Sequence, residues 1–307
     1  MSTEVPATSS ITGVGGDAKL SASVIGALAA VWIVWGSTYL AIKIGLETMP
    51  PFFMQGTRFV FASLIMLAVL RRRGVPWPSK VQIRHAAMIG VLLLIGGLGL
   101  VTLAEDRGVD SGLVATIIAI QPMMMSMWGG LWKQWPVRLE WIGMVVGLGG
   151  VAILVSDDGL SGSWNGVSLV FIACVCWSFG SALSRRIEMP DGFMTTAIEM
   201  AAAAVAYMLL SFVTGEDVTA PSLRSSLALA YLVVFGSIVA FTAFTYLIGH
   251  VSGPLAMSYA YVNPAIAVLL GVTLSNEDLS VNMAIALPII LIGVALVTNA
   301  SRRKVEA

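Results

Sequence analysis

Ile120-Gln121-Pro122 and Val262-Asn263-Pro264 are the two triplets on which the fold of this chain turns. Each lies near the middle of an apolar run long enough to cross a bilayer. A proline inside a helix has no N–H, and its ring collides with the carbonyl four residues back. The carbonyls of Ile118 and Ala260 are therefore expected to lose their helical partners. In hydrocarbon an unsatisfied carbonyl is costly, so such breaks persist only where protein or water reaches them. Just ahead of each proline stands a primary amide, Gln121 or Asn263, which can both donate and accept. One such proline reads as a kink in a packed helix. Two at matching places point to the central site of a transporter.

The surrounding composition fixes the medium. Of 307 residues, 57% are hydrophobic and 11% charged, and mean hydropathy is +0.89. Soluble domains carry about 25% charged residues, so an all-α membrane protein is expected and a soluble one is excluded. Ten apolar runs, 22–44, 52–70, 86–104, 111–132, 139–156, 165–184, 193–213, 225–248, 253–274 and 281–299, predict ten transmembrane helices. Each is close to the ~20 residues that a bilayer core requires. The links are short, so neighbours should run antiparallel. Residues 1–20 are rich in Ser, Thr and Gly without a basic start, and read as a flexible cytoplasmic tail, not a signal peptide. Residues 300–307 form a basic tail.

Charge sets the orientation. If the N-terminus is cytoplasmic, all 17 Lys and Arg except Lys43, Arg58, Arg107 and Arg224 fall on the cytoplasmic side. Glu105, Asp106, Asp110, Asp157, Asp158, Glu216, Asp217, Glu277 and Asp278 fall at the opposite ends. The excess of basic residues places both termini in the cytoplasm, and the membrane is read as the bacterial inner one.

A shift of 142 residues carries Trp35 onto Trp177, Lys43 onto Arg185, Gln121 onto Asn263, Pro122 onto Pro264 and Val155 onto Val297. Five spans per copy is an odd number, so the second copy enters the membrane upside down. The expectation is two inverted five-helix repeats, 21–156 and 163–299, around a central cavity. Gly143-x-x-x-Gly147 and the Gly90–Gly99 and Ala201–Ala204 stretches supply small residues for close helix approach.

Trp35-Gly36-Ser37-Thr38-Tyr39-Leu40-Ala41-Ile42-Lys43, then Pro50-Pro51 and Thr57-Arg58-Phe59, resemble an EamA-type transporter of the drug/metabolite transporter superfamily. Ala104-Glu105, Ser111-Gly112, Trp177-Ser178-Phe179-Gly180-Ser181, Ser258 to Pro264 and Val268 to Gly271 fit the same pattern. The resemblance runs from about residue 24 to 299. It implies ten helices, two inverted halves and a central substrate cavity. Bacterial members of this kind export aromatic and other neutral amino acids. Small multidrug exporters of the superfamily use a carboxylate in the first helix, and this first helix has none.

Helix 1 aligns Trp35, Tyr39 and Lys43 on one face, and helix 6 aligns Trp177, Ser181 and Arg185. An aromatic wall with polar tips suits an amino acid or a flat organic solute. The same residues also suit interfacial anchoring and snorkelling. Tyr259 shares a face with Asn263, Gln121 with Met125 and Trp128, and Tyr246 reads as a path or seal residue near the inner end of helix 8. The candidate cavity is thus Trp35, Tyr39, Gln121, Pro122, Trp177, Ser181, Tyr246, Tyr259, Asn263 and Pro264, with intramembrane charges Lys43, Arg58 and Glu199. Arg58 is expected to reach Glu105 or Asp106 as a structural bridge. Glu199 is read either as a proton site or as a support.

No hydrolase, metalloprotease or nucleotide motif occurs, and Cys174, Cys176, His85 and His250 do not make a metal set. Neither enzyme chemistry, cofactor, metal nor nucleic acid is expected. The reading is a monomeric secondary exporter of small neutral metabolites, foremost aromatic amino acids, methionine and threonine, working by alternating access. A broad exporter of drugs or cationic toxic compounds and an uncoupled facilitator stay open, as do protons as a coupling ion.

Overall fold

Every secondary-structure element among the described residues is helical. The structure is a computed structural model. It describes residues 21–109, 114, 117–155, 164–263, 265–266 and 281–306, and only the backbone of residues 39, 154, 155, 283 and 301–306. The helices are α1 (Ala22–Leu46), α2 (Pro51–Arg72), α3 (Lys80–Asp106), α4 (Gln121–Leu131), α5 (Arg138–Val155), α6 (Trp164–Ser184), α7 (Phe193–Thr214), α8 (Leu223–His250), α9 (Gly253–Ala256) and α10 (Val281–Glu306). Local chemistry marks their starts. The Ser21 hydroxyl accepts from Val24 N, Ser79 and Gln82 form a capping box, and Ser222 caps α8.

Among the described residues six helices, α1, α2, α3, α6, α7 and α8, are long and apolar enough to cross a membrane, and Ala284–Ala300 is a shorter apolar stretch. Their exposure is inverted relative to a soluble protein. Ile33, Phe61, Leu64, Phe171, Val205 and Phe212 face outward, whereas Gln55, Arg58, Gln121, Glu199 and Asn263 are buried. Apolar belts outside and polar groups inside are what hydrocarbon solvent selects.

The helices pack mainly across the two halves of the sequence. The most extensive contacts are α5 with α10 and α2 with α7, followed by α3 with α6 and α1 with α8. Along α5, Gly143 meets Val297, Gly147 meets Gly293 and Gly150 meets Ile290, so that pair runs antiparallel at close range. A Cβ at Gly293 would stand 2.7 Å from the Gly147 Cα, which is why this contact needs glycine. The ends sort by charge. Arg71, Arg72, Arg73, Lys80, Arg138, Arg185 and Arg186 flank one end, here the basic end. Glu47, Glu105, Asp106, Glu216 and Asp217 flank the other, the acidic end.

Two breaks differ from expectation. The fourth span does not kink at a proline inside one helix. A turn at residues 119–120 separates residues 117–118 from α4, and Pro122 sits in the first turn of α4. There a missing N–H costs nothing and the fixed φ suits helix initiation. On the other side, α9 gives way to a turn at Met257 and Ser258 before residues 259–263 resume as helix. Both breaks therefore precede their amide. Pro264, Ser111-Gly112, the acids Asp110, Asp157, Asp158, Glu277 and Asp278, and the second part of the ninth span lie outside the described residues.

One feature was not anticipated. α3 and α8 each widen into a π-helical stretch, Val91–Gly99 and Leu232–Val239. Such stretches are rare and appear often at functional sites. Gly96, Gly97, Gly99 and Gly236 lie within them.

Candidate functional site

Four helical segments bring an aromatic cluster to the middle of the bundle. Trp35 of α1 meets Trp177 of α6 edge to face, with centroids 5.6 Å apart at 76°. Tyr259 packs on Trp35 at 4.8 Å, and Phe244 of α8 packs on Trp35 at 5.1 Å and on Trp177 at 5.4 Å. Tilted and edge-on geometries of this kind are the favoured ones for aromatic pairs. Glycine makes room for it: a Cβ on Gly97 would stand 2.5 Å from the Trp177 ring. The π stretches thus admit the indoles from both sides.

Amides hold the rim. The Tyr259 hydroxyl donates to Gln121 Oε1 at 2.7 Å. Asn263, with its amide turned so that nitrogen faces two carbonyls, donates to Trp32 O and Tyr259 O at 3.1 Å each. Trp32 Nε1 donates to Ser258 at 3.0 Å, and Trp128 Nε1 donates to Ser178 at 2.9 Å. The first of these bonds pins the break at Met257 and Ser258 to α1, and the second ties α4 to α6.

A cavity of about 90 Å³ lies on the acidic-end side of this cluster. Trp35, Trp177, Tyr259, Gln121 and Asn263 line it, and so do Arg58 and Glu105. A second cavity, about 280 Å³, lies toward the basic end and is lined by Ser181, Arg185, Glu199, Thr242 and Tyr246. Phe244 lines this second cavity while stacking on both indoles of the first, so the aromatic cluster forms the partition.

The structure thus brings Trp35, Gln121, Trp177, Tyr259 and Asn263 together, and does not bring Ser181, Tyr246 or Glu199 to the same cavity. Tyr246 stacks on His250 at 3.9 Å. Pro122 is buried in α4 beside Gln121. Lys43 is exposed. The backbone of Tyr39 is helical, and its side chain, like Pro264, lies outside what is described. Arg185 Nη2 donates to Val251 O at 2.8 Å. Burial, then the neighbouring charge of Arg186, pulls its guanidinium down to about 10.

Arg58 requires a correction. It does not bridge to Glu105 or Asp106; among the described residues the ion pair is Arg224–Glu47 at 3.2 Å. Arg58 Nε instead donates to Ser237 Oγ at 2.7 Å, and Nη1 donates to Gln55 Oε1 at 3.3 Å. The bridge was expected because helix 3 was taken as the neighbour of the Arg58 head group. The π stretch of α8 brings Ser237 there first.

Phe241 and Phe244 are site residues that sequence reasoning passed over, and Glu105 was named as a partner for Arg58 but not as a cavity residue. The first two sit in an unbroken apolar run, where nothing separates a wall from a core residue. Gly236-Ser237 was the available signal for the π stretch.

The EamA-like transporter family matches residues 22–156 and again 164–299. A relative from Escherichia coli (strain K12), described as the uncharacterized inner membrane transporter YedA, is 46% identical over 274 residues, covering 89% of this chain and 90% of the relative. A Salmonella typhimurium protein described as a probable amino-acid metabolite efflux pump is 25% identical, over 81% of this chain and 88% of that one. A solved crystal structure superposes with a TM-score of 0.79 over 91% of this chain and 98% of its own, at 21% identity, and so resembles it in fold.

Proposed function

We propose that this chain, which belongs to the EamA-like transporter family, exports small neutral metabolites across the bacterial inner membrane by alternating access. Amino acids come first among them, in particular aromatic ones, methionine and threonine. The observation that carries the reading is the central cavity. It is built by residues of both sequence halves, walled by Trp35 and Trp177, rimmed by Gln121 and Asn263, and closed on one side by Phe244. A solute with an apolar side chain and a polar backbone finds stacking area and directional hydrogen bonds there.

The cross-half packing supports ten spans in two inverted halves. α2 against α7 and α5 against α10 pair like-numbered helices of each half, and α1 with α8 exchanges for α3 with α6. With the termini cytoplasmic, the cavity lies toward the outer face, and the partition blocks the inner one. The efflux-pump description of the Salmonella relative supports the amino-acid reading.

Counterflow in liposomes tests it. Purified protein is expected to exchange labelled phenylalanine, methionine or threonine, and Trp177→Ala or Asn263→Ala to cut that exchange about tenfold or more while eluting as folded protein. Exchange restricted to organic cations would remove the amino-acid assignment. Unchanged exchange in both variants would remove the site.

A further inference from the structure

We infer that Arg58 and Glu105 read the two charges of a zwitterionic solute in the central cavity, its carboxylate held by Arg58 and its ammonium by Glu105. This rests on the transport reading above and assigns the polar contacts of the same site.

Arg58 is buried in α2, 4% exposed. Its two bonds go to neutral groups, Ser237 and Gln55, and Gln55 is itself fixed because its Nε2 donates to Thr102 Oγ1 at 3.1 Å. The guanidinium is thus held in place without being neutralised. A guanidinium carries five N–H donors, and those left over on Nη1 and Nη2 meet no acceptor among the described residues. Gly236 keeps the flank of Nη2 clear, since a Cβ there would stand 2.9 Å from it. Glu105, partly buried at the end of α3, lines the same cavity. The two charges are not within ion-pair distance of each other.

A cation and an anion that share one cavity without touching leave each pole open. Away from bulk water a missing partner is costly and a matching one correspondingly valuable. A zwitterion supplies both partners. An organic cation leaves Arg58 unmatched, and an organic anion leaves Glu105 unmatched, so each is disfavoured by the same arrangement. The indole and phenyl wall then takes the side chain.

Competition against counterflow tests this on the unmodified protein. Whichever of labelled phenylalanine, methionine and threonine is exchanged, the unlabelled amino acid is compared with its α-carboxamide and its deaminated acid. Each analogue lacks one pole, and each is expected to compete about tenfold or more weakly, the worth of one charge-assisted bond. Arg58→Lys should retain exchange with weakened affinity, and Arg58→Gln should lose the preference over the carboxamide. Glu105→Gln should lose the preference over the deaminated acid alone. Equal competition by all three compounds, or variants that keep the wild-type preferences, would overturn the pair and leave the transport reading intact. Failure of the wild type to exchange any of the three amino acids would overturn both.

Discussion

The two sequence halves place like residues at like positions but bond them differently. Trp35 and Trp177 correspond by the 142-residue shift, yet Trp35 Nε1 donates to Gly236 O at 3.1 Å, while Trp177 Nε1 is buried without a partner among the described residues. Arg58, a buried charge of the first half, is held by Ser237 and Gln55. Glu199, a buried charge of the second half, has an oxygen without a hydrogen-bond partner among the described residues, as do Ser181 and Thr242 in the same cavity. Symmetry in sequence with asymmetry in bonding fits the alternating access proposed above, in which either of two mirrored states satisfies one half and leaves the other short.

The largest expected effect comes from removing the partition between the two regions. Phe244→Ala deletes a ring that touches Trp35, Trp177, Tyr259 and Phe241. A buried phenylalanine cut to alanine costs about 3–5 kcal/mol. The variant should unfold at clearly lower temperature and leak labelled solute from liposomes without exchange. A tight, exchanging Phe244→Ala protein would show that the two cavities are not separated there.

A smaller and more selective effect separates the paired tryptophans. Trp35→Phe and Trp177→Phe lose similar area, but only the first gives up a hydrogen bond, leaving the Gly236 carbonyl short. It should be less stable than Trp177→Phe by about 1 kcal/mol, read as the difference in thermal midpoint. Equal midpoints would mean that the bonding asymmetry carries no energy.

The smallest effect on stability is expected for Glu199→Gln, which keeps the shape and removes an ionisable group whose Oε2 has no hydrogen-bond partner among the described residues. Stability should be unchanged or higher, and any difference in exchange between pH 6 and pH 8 should vanish. Persistence of that difference in the variant would remove Glu199 as the group that carries protons.

Much of this was legible in the residues. Period, length and charge predict apolar helices with sorted ends, and Trp35, Gln121, Trp177, Tyr259 and Asn263 do line one cavity. What periodicity cannot convey is which helix lies opposite. Arg58 was assigned to acids on the nearest helix end, whereas its partner Ser237 lies in the other half. Glu199 was grouped with the intramembrane charges of the site but belongs to a separate cavity, because the partition is made by Phe244, an unremarkable residue in an apolar run. The π stretches were hidden for a like reason. Gly96-Gly97 read as packing glycines and Gly236-Ser237 drew no reading, until the indole of Trp177 and the head group of Arg58 are seen against them.

The central claim is that solute rests between the two halves, against both tryptophans. A crystal structure with 4-bromophenylalanine, located by the anomalous signal of its bromine, tests this most directly. The account predicts a bromine peak beside the Trp35 and Trp177 rings, with the bound ring about 4.5–7 Å from theirs as in other aromatic pairs, and the amino-acid head toward Arg58. A peak in the cavity beyond Phe244, or on the outer apolar surface, would contradict it.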